Sequence, residues 1–284
     1  MKIFAFGLSV LFLTTCGSRF STTAPLTADQ RKQFSETVDA LGAAERSSKA
    51  AHQSFNRQSE DAGSPEYSKE MIDELRACEF RVSPGTSQMS LPSEPGATAK
   101  SDFDATFSAS GAACPISLNL SFKGSMEMSH QFSKMNASFA YDYSVVNVQS
   151  FSHFVDITRM TANGTVWIET GATTRKGAID YVGDATSTKY GKLRFFVKGS
   201  AGGSVHEETG DLTIGVEYPD HAVELKEVVA LEEGQIAHRY TLNGETITKA
   251  EFDGYLRKLG ELGGGGAGSG HASSESQTTE PVQP

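Results

Sequence analysis

From Ser101 to Ile247 apolar and polar residues alternate one by one, and this period of two is what most restricts the fold. Phe103, Ala105 and Phe107 alternate with polar neighbours, as do Ile116, Leu118, Leu120 and Phe122. Met126, Met128, His130 and Phe132 follow, then Ala137, Phe139, Tyr141, Tyr143 and Val145. Later runs contain Val166 and Ile168, Phe195 and Val197, Leu212, Ile214 and Val216, and Ile236, His238, Tyr240 and Leu242. Only an extended strand sends alternate side chains to opposite faces, so this region is sheet with one apolar face. Ile116, Leu118, Leu120, Phe139, Tyr141, Ile214, Val216 and Tyr240 are expected on that inward face. Lys123-Gly124, Asn163-Gly164, Gly202-Gly203, Thr209-Gly210-Asp211 and Asn243-Gly244 read as the turns between strands. The expectation is a mainly β, α+β fold. About ten strands form an antiparallel meander, curled into a barrel or half-barrel or stacked as a sandwich to protect its edges.

Helical patterns flank the strands. Thr27 and Gln30 have capping-box spacing, and Phe34, Val38, Leu41, Ala44, Ser48, Ala51 and Phe55 follow at intervals of three and four. The middle of that stripe is small: Ala43, Ala44, Ser47, Ala50 and Ala51 would let another backbone come close. The helix either packs on its own domain or forms a coiled-coil stalk. Ser64-Pro65 can open a second helix with Met71, Ile72 and Leu75 on its apolar face, making a helical hairpin. Thr248 and Glu251 again have capping-box spacing, ahead of Phe252, Tyr255, Leu256 and Leu259, which should lie on the sheet. The organisation read from these signals is a hairpin with a first strand over 27–82, a loop over 83–100, and a β domain with its terminal helix over 101–262. The Gly/Ser/Gln/Pro-rich stretch 263–284 is too polar to offset its own ordering entropy and is expected to be disordered.

The amino terminus says where the chain lives. An apolar run from Ile3 to Leu13, behind the single charge Lys2, has the length of a signal-peptide core and is too short to span a bilayer. It ends in Leu13-Thr14-Thr15-Cys16, which resembles the lipobox of bacterial lipoproteins, with Thr15 standing where that family usually has Gly, Ala or Ser. The resemblance implies a signal peptide over 1–15, removed before Cys16, and a diacylglycerol on the Cys16 thiol. It further implies an acylated new amino terminus (palmitate and its like) and a tether over 16–26. The residues after Cys16 are Gly17 and Ser18 rather than the aspartate associated with inner-membrane retention, so the lipid anchor is expected in the outer membrane of the bacterial envelope. Two or three acyl chains anchor a protein stably where one does not.

If lipid takes Cys16, Cys78 and Cys114 remain as an even pair in an exported protein, to be read as a disulfide or as two buried thiols. No CxxC or HxxxH spacing suggests a metal. No nucleophile elbow, SxxK, HExxH, P-loop or dinucleotide fingerprint occurs, so no catalytic residue and no cofactor is nominated. His206-Glu207-Glu208 reads as a solvated hairpin, His130 and His238 as strand histidines on the apolar face, and Trp167 as a core or cavity-mouth residue. His153 and Asp156 fall on opposite faces of an extended chain, which argues against a dyad. A formal charge of -10 argues against nucleic acid and against adhesion to anionic lipid, leaving the Cys16 lipid as the link to the membrane. The expected function is a non-enzymatic binding or structural lipoprotein whose protein or apolar ligand the residues do not name. The alternative is a carrier of lipid or another apolar ligand in a half-barrel, loosely similar in architecture to periplasmic lipoprotein carriers. Met126, Met128, Phe132, Met135, Phe139 and Tyr143 would line its cavity or fill its core. An envelope hydrolase is the third reading.

Overall fold

A computed structural model of the 284-residue chain describes residues 24–56, 74–83, 94, 97–147, 156–204 and 207–259. The fold is mainly β. Eleven antiparallel strands form one sheet in which every strand pairs with its neighbour in sequence. They are β1 (Glu79–Ser83), β2 (Ala99–Ser110), β3 (Ile116–Met128), β4 (Phe132–Val145), β5 (Ile157–Gly171), β6 (Thr174–Ser187), β7 (Gly191–Ser204), β8 (Glu207–Glu217), β9 (Ala222–Glu232), β10 (Gln235–Leu242) and β11 (Glu245–Thr246). Helices α1 (Ala28–Asn56) and α2 (Lys249–Leu259) flank the sheet in sequence. β1 pairs only with β2 and β11 only with β10, so the sheet does not close, and of the expected barrel, half-barrel or sandwich the closed barrel is not formed. β1, grouped by sequence with the helical hairpin, is an edge strand of this sheet. The proposed second helix lies outside the described residues apart from its end at 74–75.

The strands run longer than the turn signals suggest. Lys123-Gly124 lies in the middle of β3 and Asn163-Gly164 in the middle of β5, so neither is a turn. Gly202-Gly203 closes β7 and Thr209-Gly210-Asp211 lies inside β8. The reason is aromatic cover. A Cβ on Gly124 would stand 2.7 Å from the Phe103 ring, and one on Gly164 would stand 2.7 Å from the Phe139 ring. Both rings belong to the residue directly opposite on the next strand. Phe195 roofs Gly183 in the same way. Each ring occupies the volume the glycine leaves, which keeps the strand continuous and lets it bend. Asn243-Gly244 is a true turn: both residues have positive φ, 48° and 78°. Glu233-Gly234 makes a second turn of this kind, which the residue types had not suggested.

Cross-strand register makes the inner face continuous. At one end Ala109, Leu118, Tyr143, Met160, Ala185 and Leu193 stand opposite one another across six strands, all buried. α1 covers this end, burying Phe34, Val38, Leu41 and Ala44, and it packs against α2 and β5. All eight residues expected on the inward face lie on it; Ile116, Leu118, Ile214, Val216 and Tyr240 are buried, while Leu120, Phe139 and Tyr141 are partly buried against the core. The opposite face carries the directly opposed ion pairs Lys123–Asp104 (3.0 Å), Lys100–Glu127 (3.5 Å) and Lys198–Asp180 (3.8 Å), with Trp167 and Val182 exposed among its polar residues.

α1 starts with a complete capping box: Gln30 N–H donates to Thr27 Oγ1 (3.2 Å) and Thr27 N–H to Gln30 Oε1 (3.0 Å). α2 makes half of one, Glu251 N–H to Thr248 Oγ1 at 3.2 Å, because the Glu251 carboxylate instead meets Arg31 of α1. Arg31 also pairs with Glu245 at 2.6 Å. Phe34 packs on Tyr255, and further along Gly42 lies against the carbonyls of Lys258 and Leu259. α1 is therefore a helix of its own domain through Ser47, not the seam of a stalk. Cys78 is bonded to Cys114 with Cα atoms 4.4 Å apart, stapling the chain behind the buried Leu75 to the β2–β3 turn.

Candidate binding face

The inner face continues past the helices. Beyond the covered rows stand Ser101, Met126, Met135, Ile168, Gly177, Ala201, Gly210, Val229 and His238, each opposite the next. Between this row and the core lie Phe103, Phe122, Phe139, Val166, Ile179 and Leu212. Phe122 is 38% exposed, and Phe103, Met126, Met135, Val166 and Ile168 are half-buried. The same alternation that builds a filled core at one end thus leaves an apolar half-face at the other, where no described helix lies over it. Of the rows read as lining or core, Tyr143 is buried beneath α1, whereas Met126, Met128, Met135 and Phe139 belong to the partly exposed part; Phe132 does not, because Met128 stands opposite Ser133 and the alternation turns Phe132 to the outer face, opposite Gly171. Sheets of monomeric proteins seldom leave contiguous apolar rows open unless something binds them.

Polar groups gather at the covered end. Three tyrosines meet α1: Tyr190 donates its hydroxyl to Glu36, Tyr218 approaches Thr37, and Tyr143 approaches Ser47. Burial, and then the Glu36 carboxylate, push the Tyr190 hydroxyl up to about 12. The Tyr190 hydrogen bond, with Lys189 beside it, holds Glu36 below the usual carboxylate range. Burial raises Tyr143 and Tyr218 further. His221, absent from the sequence reading, stacks on Tyr218 with ring centroids 4.4 Å apart and meets Asp220 at 2.8 Å. Among the described residues the His221 Nε2 atom is buried and has no hydrogen-bond partner.

The nominated residues are dispersed. Cys16, His153 and His206 lie outside the described residues. Cys78 and Cys114 are joined and lie at the covered end. His130 is in the β3–β4 turn and exposed, not on a strand face, because β3 ends at Met128. His238 stands on the inner face of β10 but is half exposed and meets Glu227 at 3.1 Å. Trp167 is neither core nor cavity mouth: it alternates with the inner Val166 and Ile168 and lies 37% exposed on the outer face. Among the described residues no three His, Cys, Asp or Glu side chains gather to hold a metal ion, and no helix is long and apolar enough to cross a membrane. A depression of about 370 Å³ is lined by the charged Arg159, Asp184 and Lys192 together with Thr161, Ala185, Thr186 and Leu193. No protein-family model matches this chain, and no curated protein or solved structure matches it significantly.

Proposed function

We propose that this protein is a lipid-anchored lipoprotein of the bacterial envelope, held in the outer membrane through Cys16, and that it acts by non-covalent binding at the open apolar half of its sheet. The observation that carries the binding reading is the inner face itself. It is filled under α1 and α2, and it stays apolar and half-exposed from Phe103 and Phe122 through Met135 and Ile168. In this reading the open meander curls about α1 as a half-barrel, with the helices closing one end and the ligand lying at the other. A carrier of lipid or another apolar ligand is the second reading, favoured by Met126, Met128 and Met135, whose flexible side chains adapt to varied apolar shapes.

Two measurements test the proposal separately. Intact mass spectrometry of membrane-extracted protein should find acyl chains on Cys16, and a Cys16→Ser chain should leave the membrane. An unmodified terminus downstream of Cys16 refutes the anchor. For the face, N-phenyl-1-naphthylamine, whose emission rises in apolar surroundings, should bind saturably. Phe122→Asp or Met135→Asp should abolish that signal while Asn119→Asp, on the outer face, leaves it intact. Equal binding by all three variants would remove the face from consideration.

A further inference from the structure

We propose that β10 is a pairing edge through which two copies of this chain join as an antiparallel, two-fold dimer. β11 covers Thr241 and Leu242 and the chain after it reaches Tyr240, so among the described residues 235–239 has β9 on one side and no strand on the other. The groups facing the open side follow from strand geometry. In an antiparallel strand the N–H and C=O of one residue point to the same side, and successive residues alternate. The Tyr240 carbonyl accepts the Ile247 amide at 3.0 Å, on the side away from β9. His238 and Ile236 therefore turn their N–H and C=O groups outward, whereas Ala237 and Arg239 face β9.

Exposed edges are usually blunted by proline, a bulge or outward charge. Residues 235–240 contain no proline, and their register with β9 runs without a shift. Arg239 is engaged by Glu232 and His238 by Glu227 within the same hairpin. Leu231 and Ile236, directly opposite each other, are 48% and 37% exposed. At the other end of the sheet β2 carries Lys100, Asp102 and Asp104 along the stretch β1 does not reach.

The occupant is a second copy, by charge and by symmetry. The chain is formally -10, so two copies repel on the whole, yet 235–240 carries His238 and Arg239 and no carboxylate of its own, and the acids nearest it, Glu227 and Glu232, are paired with those two residues. Like edges therefore meet without opposing acids. A two-fold axis perpendicular to the sheet sets the strands antiparallel and keeps both inner faces on one side, so Ile236 and Leu231 of each copy extend the apolar face of the other. Such a joint is self-complementary and closes at two. It is independent of what the apolar face binds.

The test is sedimentation velocity of the mature chain over a range of concentrations, with Cys16→Ser to keep it out of membranes. The parent should dimerise, and Ile236→Pro should weaken the dimer about tenfold or more by removing an outward donor from each copy. It should keep the parent's circular dichroism, since that N–H makes no bond to β9. Amide exchange at Ile236 and His238 should slow as parent concentration rises. If Ile236→Pro loses structure, Ile236→Lys, which keeps the N–H and sets a charge beside the axis, should weaken the dimer instead. A parent that stays monomeric overturns the proposal. So does a proline or folded lysine variant that pairs as the parent does, or a dimer whose 236 and 238 amides exchange at a concentration-independent rate.

Discussion

Replacing Gly42 with alanine tests the α1–α2 junction at its tightest point. Gly42 is a mid-helix residue, and in an isolated helix the change to alanine would stabilise by about 1 kcal/mol. Here the new methyl would overlap the Lys258 carbonyl oxygen and stand 3.0 Å from the carbonyl carbon and oxygen of Leu259. Those are backbone atoms at the end of α2, which cannot swing aside as a side chain does. α2 must move away, loosening the contacts of Phe252, Tyr255 and Leu259, all buried. Overpacking of this kind costs about 1–3 kcal/mol, and the rigidity of the obstacle places it at the upper end. The net expectation after the propensity gain is a loss of about 1–2 kcal/mol, or about 3–6 °C in melting temperature for a fold of this size. Gly254, in α2, is the internal control. A methyl there meets nothing nearer than the Arg257 guanidinium at 4.0 Å, so Gly254→Ala should stabilise by about 0.5–1 kcal/mol. Thermal and denaturant melts followed by circular dichroism decide the matter. If Gly42→Ala melts with or above the parent, α2 does not dock where the structure places it.

Other perturbations have equally definite signs. Tyr190 has its pKa raised from 10.0 to about 12 on folding, so the stability it contributes is complete below pH 10 and is lost as pH rises toward 12; Tyr190→Phe should flatten the parent's pH–stability curve in that window, and an unchanged curve contradicts the Glu36 contact. Glu36 is lowered, so its contribution is present above its unfolded value of 4.5 and disappears as pH falls below it; Glu36→Gln should lessen acid sensitivity in the same melts. Cys78 and Cys114 are 36 positions apart, and on the chain-entropy model their bond contributes about 4 kcal/mol; dithiothreitol should lower the parent's melting temperature and leave the Cys78→Ser, Cys114→Ser double variant unmoved. Asn243 is buried with φ 48°, accepts the Glu224 amide at 2.7 Å and donates to the Ala222 and Ala24 carbonyls, so Asn243→Ala should cost about 2–4 kcal/mol in urea titrations.

What could be read in advance was local. Alternation assigns each strand residue to a face without knowing its partner, which is why Ile116, Leu118, Ile214 and Val216 were legible as core. Capping boxes are legible for the same reason, since Thr27 and Gln30 lie three residues apart. Most of the differences between sequence and structure lie in pairs distant in sequence. Asn163-Gly164 has the chemistry of a hairpin, and only the Phe139 ring from the neighbouring strand makes it mid-strand. Gly42 stands out among the small residues of α1 only against its counterpart, Lys258, more than two hundred residues away. Trp167 is the exception: the parity of its neighbours Val166 and Ile168 assigns it to the outer face from local sequence alone. The apolar half-face was visible as alternating residues, but not that the helices stop short of it, because helix placement is tertiary.

The strictly sequential order of the sheet has a consequence for how the chain reaches this state. Each strand finds its partner in the strand just made, so the meander can zip up hairpin by hairpin with low contact order as the polypeptide emerges. The clamp on the core cannot. Arg31 bonds to Glu245 and Glu251, 214 and 220 positions later, and α2 is the last described element in the chain. Until it arrives, the rows around Tyr240 and Phe34 lack their cover, and a nascent or truncated chain presents them to proteases and to other chains. Completion of the final helix is thus the molecule's own checkpoint: a chain that ends early carries a finished sheet and an unfinished core.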